Sequence, residues 1–286
     1  MTLNAFESIA SEKIAHKSPA RKSPSPPLVL SPLQLQAISW LAPVLAVLVW
    51  EFLARIGFVR PQLLPAPSTV MLTAWDMLLN GSLLEHLAYS LARAATGFLI
   101  GGGVGFALGV LVGFSPLAHA ILDRPVQMVR AIPFLALLPL VIIWFGVDEG
   151  GKIFLVSLGV MFPIYINTVL GIRQVDPKLL ELGKIAGLHW FGLVKRIILP
   201  GAMPSILTGV RYALAVAWLA LVVAETLATT KGIGFLAMDA REFLQTNVIV
   251  LTILIYAFIG VMADGIARLL EQRLLQWHPN YDKEKH

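Results

Sequence analysis

Residues 181–200 read ELGKIAGLHWFGLVKRIILP. Glu181, Lys184, Lys195 and Arg196 make the stretch too polar to cross a bilayer, and its leucines, isoleucines and aromatics make it too apolar for an idle loop. Its local signals are those of two short helices. Asp176 is a favoured N-cap, and Pro177 at the first helical position loses no hydrogen bond, because that N–H has no partner in a helix anyway. Ala186-Gly187 then suits a left-handed C-cap that turns the chain sharply. Beyond the corner, Trp190, Phe191, Val194, Ile197 and Ile198 recur at helical spacing, which predicts an amphipathic helix with Lys195 and Arg196 off its apolar face. Pro200 disfavours helix at Leu199 and is expected to separate this helix from the next apolar span. Such a hairpin is either an interfacial helix lying among lipid headgroups or a knob that docks on a soluble protein.

Long apolar runs flank it on both sides. The 286 residues are 57% hydrophobic and 14% charged, far from the balance of a soluble domain. A hydrocarbon core of roughly 30 Å needs about 20 helical residues. Runs of that order predict an all-α, polytopic membrane protein with six transmembrane helices, over residues 38–59, 94–118, 131–147, 153–172, 197–227 and 243–263. Fifteen of the 22 Lys and Arg fall in the N-terminal tail, between spans 2 and 3 (Arg124, Arg130), in residues 173–196 and at the C-terminal end. By the positive-inside rule these segments and both termini are cytoplasmic. Residues 1–36, rich in Ser, Pro, Lys and Ala, read as a disordered tail. Residues 37–281 form the membrane domain, with the helical hairpin at 176–200, and 282–286 a short C-terminal tail.

Several chemistries are excluded. No cysteine is present and the six histidines lack ligand spacing, so neither a disulfide nor a thiolate metal site is available. Basic loops account for the net charge of +5 without a nucleic-acid partner. No stretch reads G-x-x-x-x-G-K-[ST], so no phosphate-cradling loop is expected on this chain. An intramembrane enzyme is disfavoured, since no H-E-x-x-H or Ser/His arrangement occurs and Asp264 stands alone in the last span.

Within the spans, Gly97, Gly101, Gly105, Gly109 and Gly113 form a row with one glycine every fourth residue. Such a row lets another backbone come close, either as plain tight packing or as a smooth face that slides during a transport cycle. Pro133, Pro139 and Pro163 are expected to kink their helices. Intramembrane charges face cavities or partners. Arg211, Trp218 and Glu225, seven apart, lie within about 40° of one stripe and extend over roughly 21 Å. They are candidate pathway lining, with Arg93 as a cation for Glu225. Alternatively these charges are structural ion pairs locking helices together. Asn167 and Tyr165 are weaker pathway candidates, and Glu51 with Arg55 form an i,i+4 pair of structural character.

Glu181, Gly187 six positions on, then nine residues and Ile197-x-Leu199-Pro200 resemble the EAA signature of permeases in binding-protein-dependent ABC importers. Leu182 and Gly183 stand where that signature has its alanines, and Gly183 is expected to cost the first helix roughly 1 kcal/mol against Ala. The segments RAIPFLALLPLVIIWFGVDEGGKIFLVSLGVMFPIYINT (130–168), GIGFLAMDAREFLQTNVIV (232–250) and WHPNY (277–281) resemble the aliphatic sulfonate permeases, in a group with taurine, nitrate and bicarbonate permeases. LLPAPSTV (63–70) is shared across that wider group. The resemblance implies a type I ABC importer permease fold in the bacterial inner membrane, with no cofactor and no catalysis of its own. It implies coupling helices that use Asp176, Pro177, Glu181, Ala186, Gly187, Ile197, Leu199 and Pro200. It also implies three protein partners: a separate ABC ATPase, a periplasmic solute-binding protein and a second permease copy. An ion-coupled secondary transporter is the rival reading, and the internal repeat common in that class is not visible.

Overall fold

The computed structural model describes residues 32–226 and 229–277, and these contain helices and turns with no strand. Most of the expected tail at 1–36 and all of 282–286 lie outside them; residues 32–36 begin the first helix. The helices are α1 (Pro32–Arg55), α2 (Pro67–Leu79), α3 (Ser82–Phe114), α4 (Pro116–Arg130), α5 (Leu138–Phe145), α6 (Glu149–Arg173), α7 (Pro177–Ile185), α8 (Trp190–Leu193), α9 (Leu199–Glu225), α10 (Ile233–Glu242) and α11 (Thr246–Leu274). Contacts divide the chain into Met1–Val49 and Trp50–His286. In the first unit residues 38–49 are exposed throughout, as an apolar helix suited to lipid would be. At the start of the second, Glu51 pairs with Arg55 at 2.5 Å and accepts bonds from the Ser68 N–H and hydroxyl at 3.0 and 2.9 Å.

Among the described residues five helices are long and apolar enough to cross a membrane: residues 38–55, 82–114, 149–173, 190–225 and 246–274. The expected single span over 131–147 is not one helix. Pro133 ends α4, a 3-10 turn covers Phe134–Leu137, and α5 has only eight residues, about 12 Å long. The break follows from prolines at 133 and 139, each lacking a backbone donor. The Arg124–Arg130 segment, expected as a loop, is α4 itself. Together α4 and α5 run beside α6: Ala118, Leu122 and Val126 pack near Tyr165 and Val169, and Leu137, Leu138 and Val141 near Leu155. The polar residues of α4 hid this arrangement, and one of them, Asp123, accepts a bond from the buried Tyr165 hydroxyl at 3.0 Å.

α6 is the centre of the bundle, packed by α3 on one side and α9 on the other. Val156, Val160 and Ile164 of α6 meet Ala213, Ala217, Ala220 and Leu221 of α9, with Ala94 and Phe98 of α3 against them. The glycine row of α3 faces α6. A Cβ at Gly101 or Gly105 would overlap the backbone of Ser157 or Met161, and one at Gly97 would meet Val156. Backbone contact this close is possible only where side chains are missing, and it replaces the hydrophobic drive that lipid does not supply.

Candidate functional site

At one end of the bundle the chain turns between α7 and α8. The Asp176 side chain accepts the Lys178 N–H at 2.9 Å, with Pro177 at the first position, as an N-cap should. At the other end of α7, Gly187 has φ +79°, its N–H bonds the Lys184 carbonyl at 3.0 Å, and the Leu188 N–H bonds the Gly183 carbonyl at 2.9 Å. These two bonds form a Schellman motif, which satisfies the last carbonyls of α7 and sets the corner. Nothing lies within 4 Å of where a Gly187 Cβ would be, so backbone conformation alone requires glycine there.

Two expectations about the second half of this elbow are corrected. Pro200 does not separate it from the following span. α8 runs through a π-helical turn at Val194–Ile198 directly into α9, and the Leu199 N–H bonds the Val194 carbonyl. Widening the helix by one residue relieves the clash that a proline ring makes with the preceding turn. The apolar stripe is also rotated from the expected one. Trp190 and Phe191 are 63% and 76% exposed, while Leu193, absent from the expected face, is buried with Ile198. Leu193 and Ile197 reach into the space over Gly183, where a Cβ would come within 2.6 Å of each. The glycine that weakens α7 by propensity is the one that lets α7 and α8 close. Leu179, Leu182, Gly183, Ala186, Ile197 and Pro200 line a hollow of about 670 Å³ in this elbow, and Leu182 and Ile185 stand exposed beside it. Glu181 lies on α7 and Leu199 begins α9, both exposed.

A second constellation closes the opposite end. Glu225, fully buried at the end of α9, pairs with Arg93 of α3 at 2.7 Å and accepts bonds from the Ser90 hydroxyl at 2.7 Å and the Gly234 N–H at 2.9 Å. Arg93 also holds Glu149 through two nitrogens, at 2.5 and 2.7 Å, and donates to the Lys231 carbonyl at 2.6 Å. Lys152 completes the group on Glu149 at 3.0 Å. Gly232, at φ +123°, brings the chain so near that a Cβ would sit 2.5 Å from the Glu225 carboxylate. Of these residues, Ser90, Glu149, Lys152, Lys231, Gly232 and Gly234 are not among the site residues expected from the sequence. Only the glycines carried a signal, that of a special backbone. Nearby, Glu85 and the Tyr89 hydroxyl hold the Lys231 ammonium above its ordinary pKa.

The remaining candidates lie between these ends. Arg211 does not face Glu225; it pairs with Asp264 of α11 at 2.6 Å and approaches Glu271 at 3.8 Å. Asp264 is therefore not alone in its helix, and Arg268 also holds it at 2.8 Å. Arg211, Trp218, Asp264 and Glu271 border a hollow of about 650 Å³. Trp218 stacks edge-on against Tyr256 at 5.9 Å. Asn167 donates to the Pro163 carbonyl at 2.9 Å, within its own helix. Among the described residues no group of His, Asp and Glu is arranged to hold a metal.

The family described as binding-protein-dependent transport system inner membrane component matches residues 103–276. The chain is 49% identical over 247 residues to the putative aliphatic sulfonates transport permease protein SsuC of Escherichia coli (strain K12), covering 86% of this chain and 94% of that protein. It is 45% identical over 242 residues to the protein of the same description in Bacillus subtilis (strain 168), covering 85% and 88%. The taurine transport system permease protein TauC of Escherichia coli is 35% identical over 235 residues, covering 80% of this chain and 86% of that protein. Among solved structures, the inward-facing MetNI methionine ABC transporter matches with a TM-score of 0.50 at 22% identity, over 69% of this chain and 98% of that one, a likeness of fold. The central α3–α6–α9 bundle, the elbow at Gly187 and these matches agree: the chain belongs to the inner membrane components of binding-protein-dependent transport systems, and is an ABC importer permease.

Proposed function

We infer that this permease carries aliphatic sulfonates inward, driven by ATP hydrolysis on a separate subunit docked at the α7–α8 elbow. The observation that carries the substrate class is the similarity, at 45% and 49% identity over most of the chain, to two permeases described for aliphatic sulfonates. Relatives described for taurine and nitrate are less similar, at 35% and 30% identity, and share the oxyanion class. Docking at the elbow is supported by its shape: a rigid, capped corner carrying exposed Leu182, Ile185, Trp190 and Phe191 offers the apolar anchors that a groove on a partner protein would take. In this reading the elbow is cytoplasmic, the Arg93–Glu225 end meets a solute-binding protein, and two permease copies enclose the path.

The test is growth on a single sulfur source. A bacterium stripped of its own sulfonate importers should grow on butanesulfonate when given this permease with its ATPase and binding protein. Growth on taurine alone, with none on butanesulfonate, would move the substrate to the taurine class.

A further inference from the structure

The break between α4 and α5 opens a hollow of about 670 Å³ toward α6 and α9, bordered by Arg130, Leu137, Leu158, Phe162, Ile166 and Asn167. Its depth follows from α6. Leu158 to Asn167 lie nine to eighteen residues after Glu149, about 14–27 Å along a helix about 37 Å long, so the hollow flanks the middle of the bundle. Arg130, exposed at the last turn of α4, is therefore level with the middle of α6. The arginines of α3, α6 and α9 all have partners: Arg93 two carboxylates, Arg211 two carboxylates, Arg173 the Val112 carbonyl at 3.1 Å; Arg124, a turn and a half before Arg130 on α4, has none among the described residues but does not border the hollow. The Arg130 guanidinium has no hydrogen-bond or ion-pair partner among the described residues. A cation held at this depth without a counter-charge is costly, and such a site is stabilised by an anion that arrives from outside.

We propose that this hollow is a sulfonate subsite: the sulfonate oxygens bind the Arg130 guanidinium, and the alkyl chain lies against Leu137, Leu158, Phe162 and Ile166. The assignment rests on the oxyanion substrate inferred above. The guanidinium fork matches an oxyanion with several equivalent oxygens, and it sheds water more readily than an ammonium. One Asn167 amide hydrogen is committed to Pro163, leaving the second for the ligand. Apart from Arg130, Asn167 and Tyr212 the lining is apolar, which suits a chain of methylenes and disfavours a bare inorganic anion. Arg211 is the poorer site for an anion, because Asp264 and Glu271 already face it.

The test uses the complete importer in proteoliposomes, with radiolabelled methanesulfonate and butanesulfonate as probes. Arg130→Gln should lower ATP-dependent uptake of both by about tenfold or more, the loss of one charge-assisted hydrogen bond, and Arg130→Lys should retain more of it. Wild-type uptake by Arg130→Gln, or equal losses in the two variants, would overturn the role of the charge. Leu158→Trp, which narrows the apolar wall, should cut butanesulfonate uptake more than methanesulfonate uptake. If that variant moves neither probe, Phe162→Ala should shift the ratio the other way. An unchanged ratio would overturn the placement of the chain. Failure of the wild-type assembly to move either sulfonate overturns the substrate reading itself, and is seen before any variant is made.

Discussion

Arg93 and Arg211 are both arginines inside long apolar helices, and both meet two carboxylates. They differ in enclosure. The Arg93 side chain is 4% exposed and that of Glu225 0%, whereas Arg211 and Asp264 are 40% and 38% exposed. The groups that bind Glu225 of α9 come from α3, through Ser90 and Arg93, and from the start of α10, through the Gly234 N–H, so the cluster ties three elements together as a lock. Around Arg211 the ion pairs join α9 to α11, with Arg268 sharing the load on Asp264. A charge in an apolar segment thus signals that a partner exists, and enclosure decides whether that partnership holds the fold together.

The sharpest way to break this contrast is Glu225→Gln, which keeps the shape but removes the buried one of the two carboxylates that balance Arg93. It should cost about 3–5 kcal/mol, read as a lowered unfolding temperature in detergent and reduced yield of folded protein; near-normal stability would show that Glu149 alone suffices for Arg93. The glycines extend the contrast from charge to space. Gly101→Ala forces a Cβ into the Ser157 backbone and should cost about 1–3 kcal/mol; because backbone is what it meets, a tolerant response would mean that α3 and α6 can separate.

Gly187→Val meets no neighbour and is opposed by backbone strain alone, about 1–2 kcal/mol at φ +79°. Its signature should be functional: the protein inserts and folds, while uptake falls relative to ATP hydrolysis in the assembled importer. Normal uptake would remove the corner from the coupling proposal. Arg211→Leu should have the smallest effect on unfolding temperature of the four, since Asp264 keeps Arg268. A loss as large as that of Glu225→Gln would mean that the two clusters are equivalent locks.

Legibility followed the range of the interactions. The elbow could be read residue by residue at Asp176, Pro177 and Gly187, because an N-cap, a first-turn proline and a left-handed C-cap are set by atoms a few positions apart. The reading failed at Gly183, where helix propensity counts a cost but does not register Leu193 and Ile197 filling the vacant space. It failed again at Pro200, whose expected break is absorbed by a π turn that no local rule requires. The expected span over 131–147 is not one helix, and the polar His119, Asp123, Arg124 and Arg130 make the helical α4 before it look like a loop. Tyr165, 42 residues from Asp123, supplies the bond that lets that carboxylate sit against the bundle.

Sequence alone determined the helical class, the membrane setting and the sharp corner at Gly187. Each depends on hydropathy summed over a segment or on backbone preferences within one turn. Tertiary structure decided that Arg93 meets Glu149 and Glu225, 56 and 132 residues away, that Arg211 turns to Asp264, and that Arg130 is left facing a hollow. Those outcomes are pairings between distant charges, and the free energy of a buried charge is set by whatever the fold places beside it, which no window of neighbouring residues contains.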